Sequence, residues 1–173
     1  IEPNDSVVVV TPTYDNFRAV VSSYGGKIYK YKLEEPFNYN IKDLISYIKN
    51  INPKLVYICS PNNPTGTANT NEQICAFVRS LHEQVIFCMD EAYVEYLDSP
   101  PDLKPLIREG RKVLAMRTFS KIHGLAGLRI GYGYGSAEMI ALLQQARQPF
   151  NANSVAQACA CLLYTSDAAD DRL

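Results

Sequence analysis

Four short, unbroken apolar runs constrain this chain more than any other feature. They are Ser6–Thr11 (Ser-Val-Val-Val-Val-Thr, cut off by Pro12), Leu55–Cys59, residues 85–89 (Val-Ile-Phe-Cys-Met, ending at Asp90) and residues 113–116 (Val-Leu-Ala-Met). Runs of four to six apolar residues bounded by polar or turn residues read as strands buried on both faces. Amphipathic stretches separate them. Residues 17–24 predict a helix stopped by Gly25-Gly26, and Ile41, Leu44, Ile45 and Ile48 share one helical face. In residues 71–81, so do Ile74, Phe77, Val78 and Leu81. Residues 27–33 alternate as a strand, residues 128–134 form a Gly-rich strand, and residues 137–147 and 154–163 predict two further helices. Buried strands alternating with helices predict an α/β fold: a mostly parallel sheet covered on both faces, in three α/β/α layers.

The composition narrows what such a fold would serve. With 47% hydrophobic and 20% charged residues the chain has a globular balance, and its 173 residues suffice for one domain with a real core. A formal net charge of −1 gives no general attraction to nucleic acid or to an anionic membrane. No apolar run reaches the ~20 residues that a membrane helix requires. The first residues, Ile1-Glu2-Pro3-Asn4-Asp5, lack the basic start of a signal peptide, and the absent Met suggests that sequence is missing in front. The five cysteines (Cys59, Cys75, Cys88, Cys159, Cys161) form no C-x-x-C, and neither His82 nor His123 stands at ligand spacing from a cysteine pair. They are expected to be reduced and mostly buried in a cytoplasmic protein, with no metal site.

In parallel sheets, ligands bind beyond the carboxyl ends of the strands. Four polar clusters fall there: Pro12-Thr13-Tyr14, residues 60–66 (Ser-Pro-Asn-Asn-Pro-Thr-Gly), Asp90-Glu91-Ala92-Tyr93 and Thr118-Phe119-Ser120-Lys121. Taken singly, each has a plain structural explanation. The two prolines of the second cluster suit a rigid turn before a helix, Asp90 suits a cap, and a lone strand-end lysine is usually solvated. A carboxylate at the mouth of a hydrophobic strand nevertheless needs a partner, because desolvation disfavours its charge. Arg129, eight residues after Lys121 in a Gly-rich stretch, offers with nearby hydroxyls a planar fork of donors suited to a phosphate.

Together the loops supply a lysine nucleophile, a buried acid, a phenol, an amide and a phosphate clamp, which is what pyridoxal phosphate requires of a protein. The order Ser-Pro-Asn-Asn-Pro-Thr-Gly, Asp-Glu-Ala-Tyr, Ser-Lys, then Gly-Leu-Arg-Ile-Gly-Tyr resembles the class I/II aminotransferases, from about Val7 to Ala160. Within that family, Arg147-Gln-Pro-Phe-Asn-Ala-Asn-Ser-Val-Ala-Gln157 is similar to the histidinol-phosphate aminotransferase branch. Aromatic aminotransferases and threonine-phosphate decarboxylases share much of the pattern. The resemblance implies the large domain of a fold-type I pyridoxal-phosphate-dependent transferase, an amino donor and a 2-oxo acid as substrates, and a homodimer.

It also implies roles. Lys121 would bind the cofactor aldehyde covalently and carry the substrate Cα proton, and Asp90 would keep the pyridine nitrogen protonated. Asn63 and Tyr93 would hydrogen-bond the ring 3′ oxygen, and Tyr14 would stack on the ring. Ser120 and Arg129, with Thr118 as a lesser candidate, would hold the phosphate, and Asn151 would lie near the substrate. Glu91 reads as structural, His123 as non-catalytic, His82 as a surface residue, and tyrosines such as Tyr29, Tyr31, Tyr47 and Tyr57 as packing. Family members are longer, with an N-terminal arm, a phosphate-binding loop, a partner-subunit tyrosine and a small domain holding the carboxylate-binding arginine. Residues 1–163 are therefore expected to be the central part of the large domain, inactive or nearly so alone. Residues 164–173 depart from the pattern and read as a non-native tail. An aminotransferase-like sensor domain of a transcription regulator is the alternative of another class, and the balanced charge gives it no support.

Overall fold

The computed structural model describes residues 1–170, with side chains described through residue 163. Among the described residues, six strands form one sheet in the order β2-β1-β3-β4-β5-β6. The strands are β1 (Ser6–Thr11), β2 (Lys27–Lys32), β3 (Leu55–Cys59), β4 (Ile86–Asp90), β5 (Val113–Thr118) and β6 (Gly131–Gly135). The first five are mutually parallel and β6 runs antiparallel to β5. The helices are α1 (Asn16–Ser23), α2 (Ile41–Ile51), α3 (Asn71–Ser80), α4 (Lys104–Arg108), α5 (Ala137–Ala146) and α6 (Ser154–Asp170).

The strand order decides which face each helix covers. The step from β1 to β2 crosses the sheet one way, and the steps through β3, β4 and β5 cross it the other way. Because parallel crossovers are right-handed, α1 must lie on one face and α2, α3 and α4 on the opposite face. The core divides accordingly. Val8, Val10, Val56, Ile58, Phe87, Met89, Val113 and Ala115 pack with Leu44 and Ile48 of α2, Ile74 and Phe77 of α3 and Leu106 of α4. Their alternates Val7, Val9, Tyr57, Cys59 and Cys88 pack with Phe17 and Val21 of α1. Each fully buried aliphatic or Phe side chain contributes about 1.5–3 kcal/mol from apolar area removed from water. The expected α/β architecture with a mostly parallel sheet is the observed one.

The helix ends follow from local chemistry. The Thr70 hydroxyl accepts from the Gln73 amide while the Gln73 side chain accepts from the Thr70 amide, a capping box that starts α3. Asn40 caps α2, which ends at Asn52 in the left-handed conformation. Three features differ from expectation. The five-residue α4 is too short to show periodicity, and the residue before it, Leu103, is buried in the core. The Gly-rich strand begins at Gly131 instead of 128, because Ala126–Leu128 forms a 3-10 turn and Arg129 takes a left-handed backbone. Helix α6 continues past Leu163 to Asp170, since alanines and acids give no Gly or Pro stop. The last three residues of the expected tail lie outside the described residues. No helix among the described residues is long and apolar enough to cross a membrane.

Candidate active site

Progress across the sheet reverses between β1 and β3, and a crevice opens where adjacent strands lead in opposite directions. The loops after β1, β3, β4 and β5 line a cavity of about 380 Å³ there. Tyr14, Asn63, Asp90, Tyr93, Thr118, Ser120, Lys121 and Arg129 all border it. Asn151 does not: it is exposed between α5 and α6, and its side-chain oxygen accepts from Arg147 at 3.2 Å. Cys59, Ala92, Met116, Arg117 and Ala126 complete the wall, and none of them carries a role that the sequence motifs imply.

The loop after β3 is held by its own polar groups. The Asn62 side-chain amide donates to the Pro12 carbonyl (2.9 Å) and to the Thr65 hydroxyl (2.8 Å), joining the first two loops. Gly66, at φ +69°, closes the turn by donating its N–H to the Asn62 carbonyl. The Ser60 amide donates to the Asp90 carbonyl, and the Ser60 hydroxyl accepts from the Asn69 amide. Asn62 is thus committed to the scaffold, and its neighbour Asn63 borders the cavity.

Asp90 ends β4 with both carboxylate oxygens engaged. Oδ2 accepts from the Tyr57 hydroxyl at 2.8 Å, and Oδ1 accepts from the Ala92 amide at 3.0 Å. Each carboxylate oxygen takes two such bonds, so acceptor capacity remains toward the cavity. Glu91 takes the opposite direction. Fully buried, it accepts from Arg117 Nε at 2.7 Å and from the Tyr134 hydroxyl at 3.0 Å. Burial pushes its carboxyl above the usual range, and Arg117 and the Tyr134 hydroxyl pull it back. Glu91 is therefore a structural acid tying β4 to β5 and β6.

Lys121 follows β5 in a compact knot. Ser120 donates its amide to the Thr118 hydroxyl, Gly124 to the Lys121 carbonyl and Leu125 to the Phe119 carbonyl. Lys121 Nζ sits 5.0 Å from the centre of the Tyr93 ring, an ammonium over an aromatic face. Arg129 folds back so that one guanidinium nitrogen donates to the Ala126 carbonyl (2.7 Å) and to the Ser120 hydroxyl (3.4 Å). Cation and hydroxyl thus stand side by side, as an anion clamp requires. The Thr118 hydroxyl supports Ser120 rather than standing free. His123 packs its ring 5.3 Å from that of Phe119. Burial, with the charge of Asp90 adding, pushes the Cys59 thiol up to about 11, so this cavity-wall cysteine stays protonated and is no nucleophile at neutral pH.

Comparison with known proteins accords with this geometry. Residues 1–170 match the family described as aminotransferase class I and II, and the chain belongs to that family. It is 37% identical over 164 residues to the histidinol-phosphate aminotransferase of Caldicellulosiruptor saccharolyticus, covering 92% of this chain and 45% of that protein. It is also 37% identical to the corresponding enzyme of Geobacillus thermodenitrificans, covering 97% and 46%. The crystal structure of histidinol-phosphate aminotransferase from Sinorhizobium meliloti in complex with pyridoxal-5'-phosphate superimposes with a TM-score of 0.85 at 30% identity, over 92% of this chain and 44% of that one. The chain spans about half the length of the curated relatives it matches.

Proposed function

We propose that this chain supplies the cofactor-binding core of a pyridoxal-phosphate-dependent aminotransferase that exchanges the amino group between histidinol phosphate and 2-oxoglutarate. The observation that carries the reading is the meeting of Lys121, Asp90, Asn63, Tyr93 and the Ser120–Arg129 pair in one cavity. The donor set fits the cofactor: an amine for its aldehyde, a carboxylate with spare lone pairs for its ring nitrogen, and a hydroxyl–guanidinium pair for its phosphate. When bound, pyridoxal phosphate supplies an aldehyde that condenses with amines and a ring that accepts electron density.

The residues divide the remaining work. Lys121 Nζ would bind the cofactor aldehyde and would carry the proton at the substrate Cα. Asp90 would hold a proton at the ring nitrogen. Asn63 and Tyr93 would hydrogen-bond the ring's 3′ oxygen, Tyr14 would stack on the ring, and Arg129 with Ser120 would hold the phosphate and so limit the ring's rotation. Asn151, which lies outside the cavity, is left to the substrate side. Relatives named for histidinol phosphate favour that substrate over an aromatic amino acid or threonine phosphate. Residues 1–163 form the domain core in this reading and residues 164–173 lie outside it, and the working protein is a cytoplasmic homodimer. The test is titration of the protein with pyridoxal phosphate. A visible absorbance band that borohydride fixes in place, and that Lys121→Ala abolishes, is the expected result. A folded protein with no band, or a band unchanged in Lys121→Ala, would sink the reading.

A further inference from the structure

Tyr57 lies in the middle of β3, 1% exposed and outside the cavity lining. Its companions on that face of the sheet are Val7, Val9, Cys59 and Cys88, none of which needs a strong hydrogen bond. A phenol buried among them must find an acceptor, and the parallel register provides one. Cys59 pairs with Asp90 and Tyr57 with Cys88, so Tyr57 and Asp90 are diagonal neighbours on one face. The hydroxyl reaches Asp90 Oδ2 at 2.8 Å. Behind it, the Phe17 ring of α1 stacks on the Tyr57 ring with centroids 4.1 Å apart and planes 13° apart, which fixes the phenol's direction.

We propose that Tyr57 is a positioning residue for the cofactor site: held by Phe17, it clamps Asp90 from behind so that the carboxylate presents its free lone pairs to the cavity. One bond from Tyr57 to Oδ2 and one from the Ala92 amide to Oδ1 define the plane of the carboxylate, so its rotation is spent before any ligand arrives. Burial and the nearby Asp90 charge make the phenol a much weaker acid than usual, so it stays protonated and donates. A permanent donor favours the ionised carboxylate and leaves the shared proton with the ring nitrogen. No residue of the cavity wall does this for Asp90 from the strand side.

The inference rests on the reading of Asp90 as partner of the ring nitrogen, and the experiment separates the two. Tyr57→Phe keeps the stacked ring and removes only the donor. Pyridoxal phosphate affinity, read from the absorbance band, is expected to weaken about tenfold in Tyr57→Phe. The same substitution placed in Asp90→Ala is expected to add less than about twofold. Wild-type affinity in Tyr57→Phe, or an undiminished tenfold loss in the Asp90→Ala background, would overturn the proposal, because a packing role acts without Asp90. Urea unfolding of the same four proteins without cofactor is expected to be non-additive, and strict additivity there would also overturn it. Absence of the band from the wild type would instead refute the cofactor reading, and the unfolding cycle would still decide whether Tyr57 holds Asp90.

Discussion

Asp90 and Glu91 are adjacent carboxylates that the end of β4 sends to opposite faces. Asp90 keeps acceptor capacity toward the cavity, whereas Glu91 closes a buried contact with Arg117 and Tyr134. Removing Arg117 leaves a buried, uncompensated acid. Arg117→Leu is therefore expected to destabilise the fold by about 3 kcal/mol in urea unfolding, and a loss below ~1 kcal/mol would show the pair to be dispensable. Most of the site was legible in the sequence because its residues sit immediately after apolar strands, where topology brings loops together. Tyr57 was not, since a tyrosine in a buried run looks like packing until the register is known. The signal was nonetheless present: residues 57, 59 and 90 share a face once the strands are taken as parallel neighbours. Asn151 stands in a motif with no strand end to place it, and it bonds to Arg147 outside the cavity.

At the scale of elements, β6 shows what periodicity alone misses. Its alternating glycines face the backbone of β5: a Cβ on Gly131 would stand 2.6 Å from the Arg117 carbonyl oxygen, and one on Gly135 2.7 Å from that of Val113. Strand pairing there depends on bare backbone. Gly131→Ala is expected to cost about 1–3 kcal/mol, measured as a lowered urea midpoint, because backbone rather than a side-chain tip must yield. Since Gly131 pairs with Thr118, the same change would disturb the segment that carries Ser120 and Lys121. The four buried parallel strands were readable from their unbroken apolar runs. The start of β6 was not, because a left-handed residue leaves no hydrophobic signature, and α4 was not, because five residues make less than two turns.

The whole molecule carries a pH liability on the α1 side of its sheet. Burial first, then Asp90, pushes the Cys59 thiol from its ordinary 9.0 to about 11, and the same causes push Cys88 to about 12. Thiols with raised folded values contribute stability that is full below pH 9 and lost as pH rises toward 11 and 12, because the unfolded chain ionises first. The buried phenols of Tyr39, Tyr57 and Tyr134, also pushed upward by burial, act in the same direction. Unfolding free energy is expected to fall from pH 9 to 11, with a shallower slope in Cys88→Ala; a flat wild-type profile over that range would refute the account. Edge strand β2 exposes Lys27, Lys30 and Lys32, which discourages pairing with another sheet. Arg129 sets a different tension. It occupies a left-handed backbone (φ 54°) at a cost of about 1–2 kcal/mol that a glycine would avoid. If Arg129 holds the phosphate as proposed, stability and ligand capture pull on one codon in opposite directions. In a lineage that keeps the proposed activity, selection would have to hold the arginine against replacement by glycine. In a descendant that has abandoned the reaction, position 129 is where relaxation of the fold would register early.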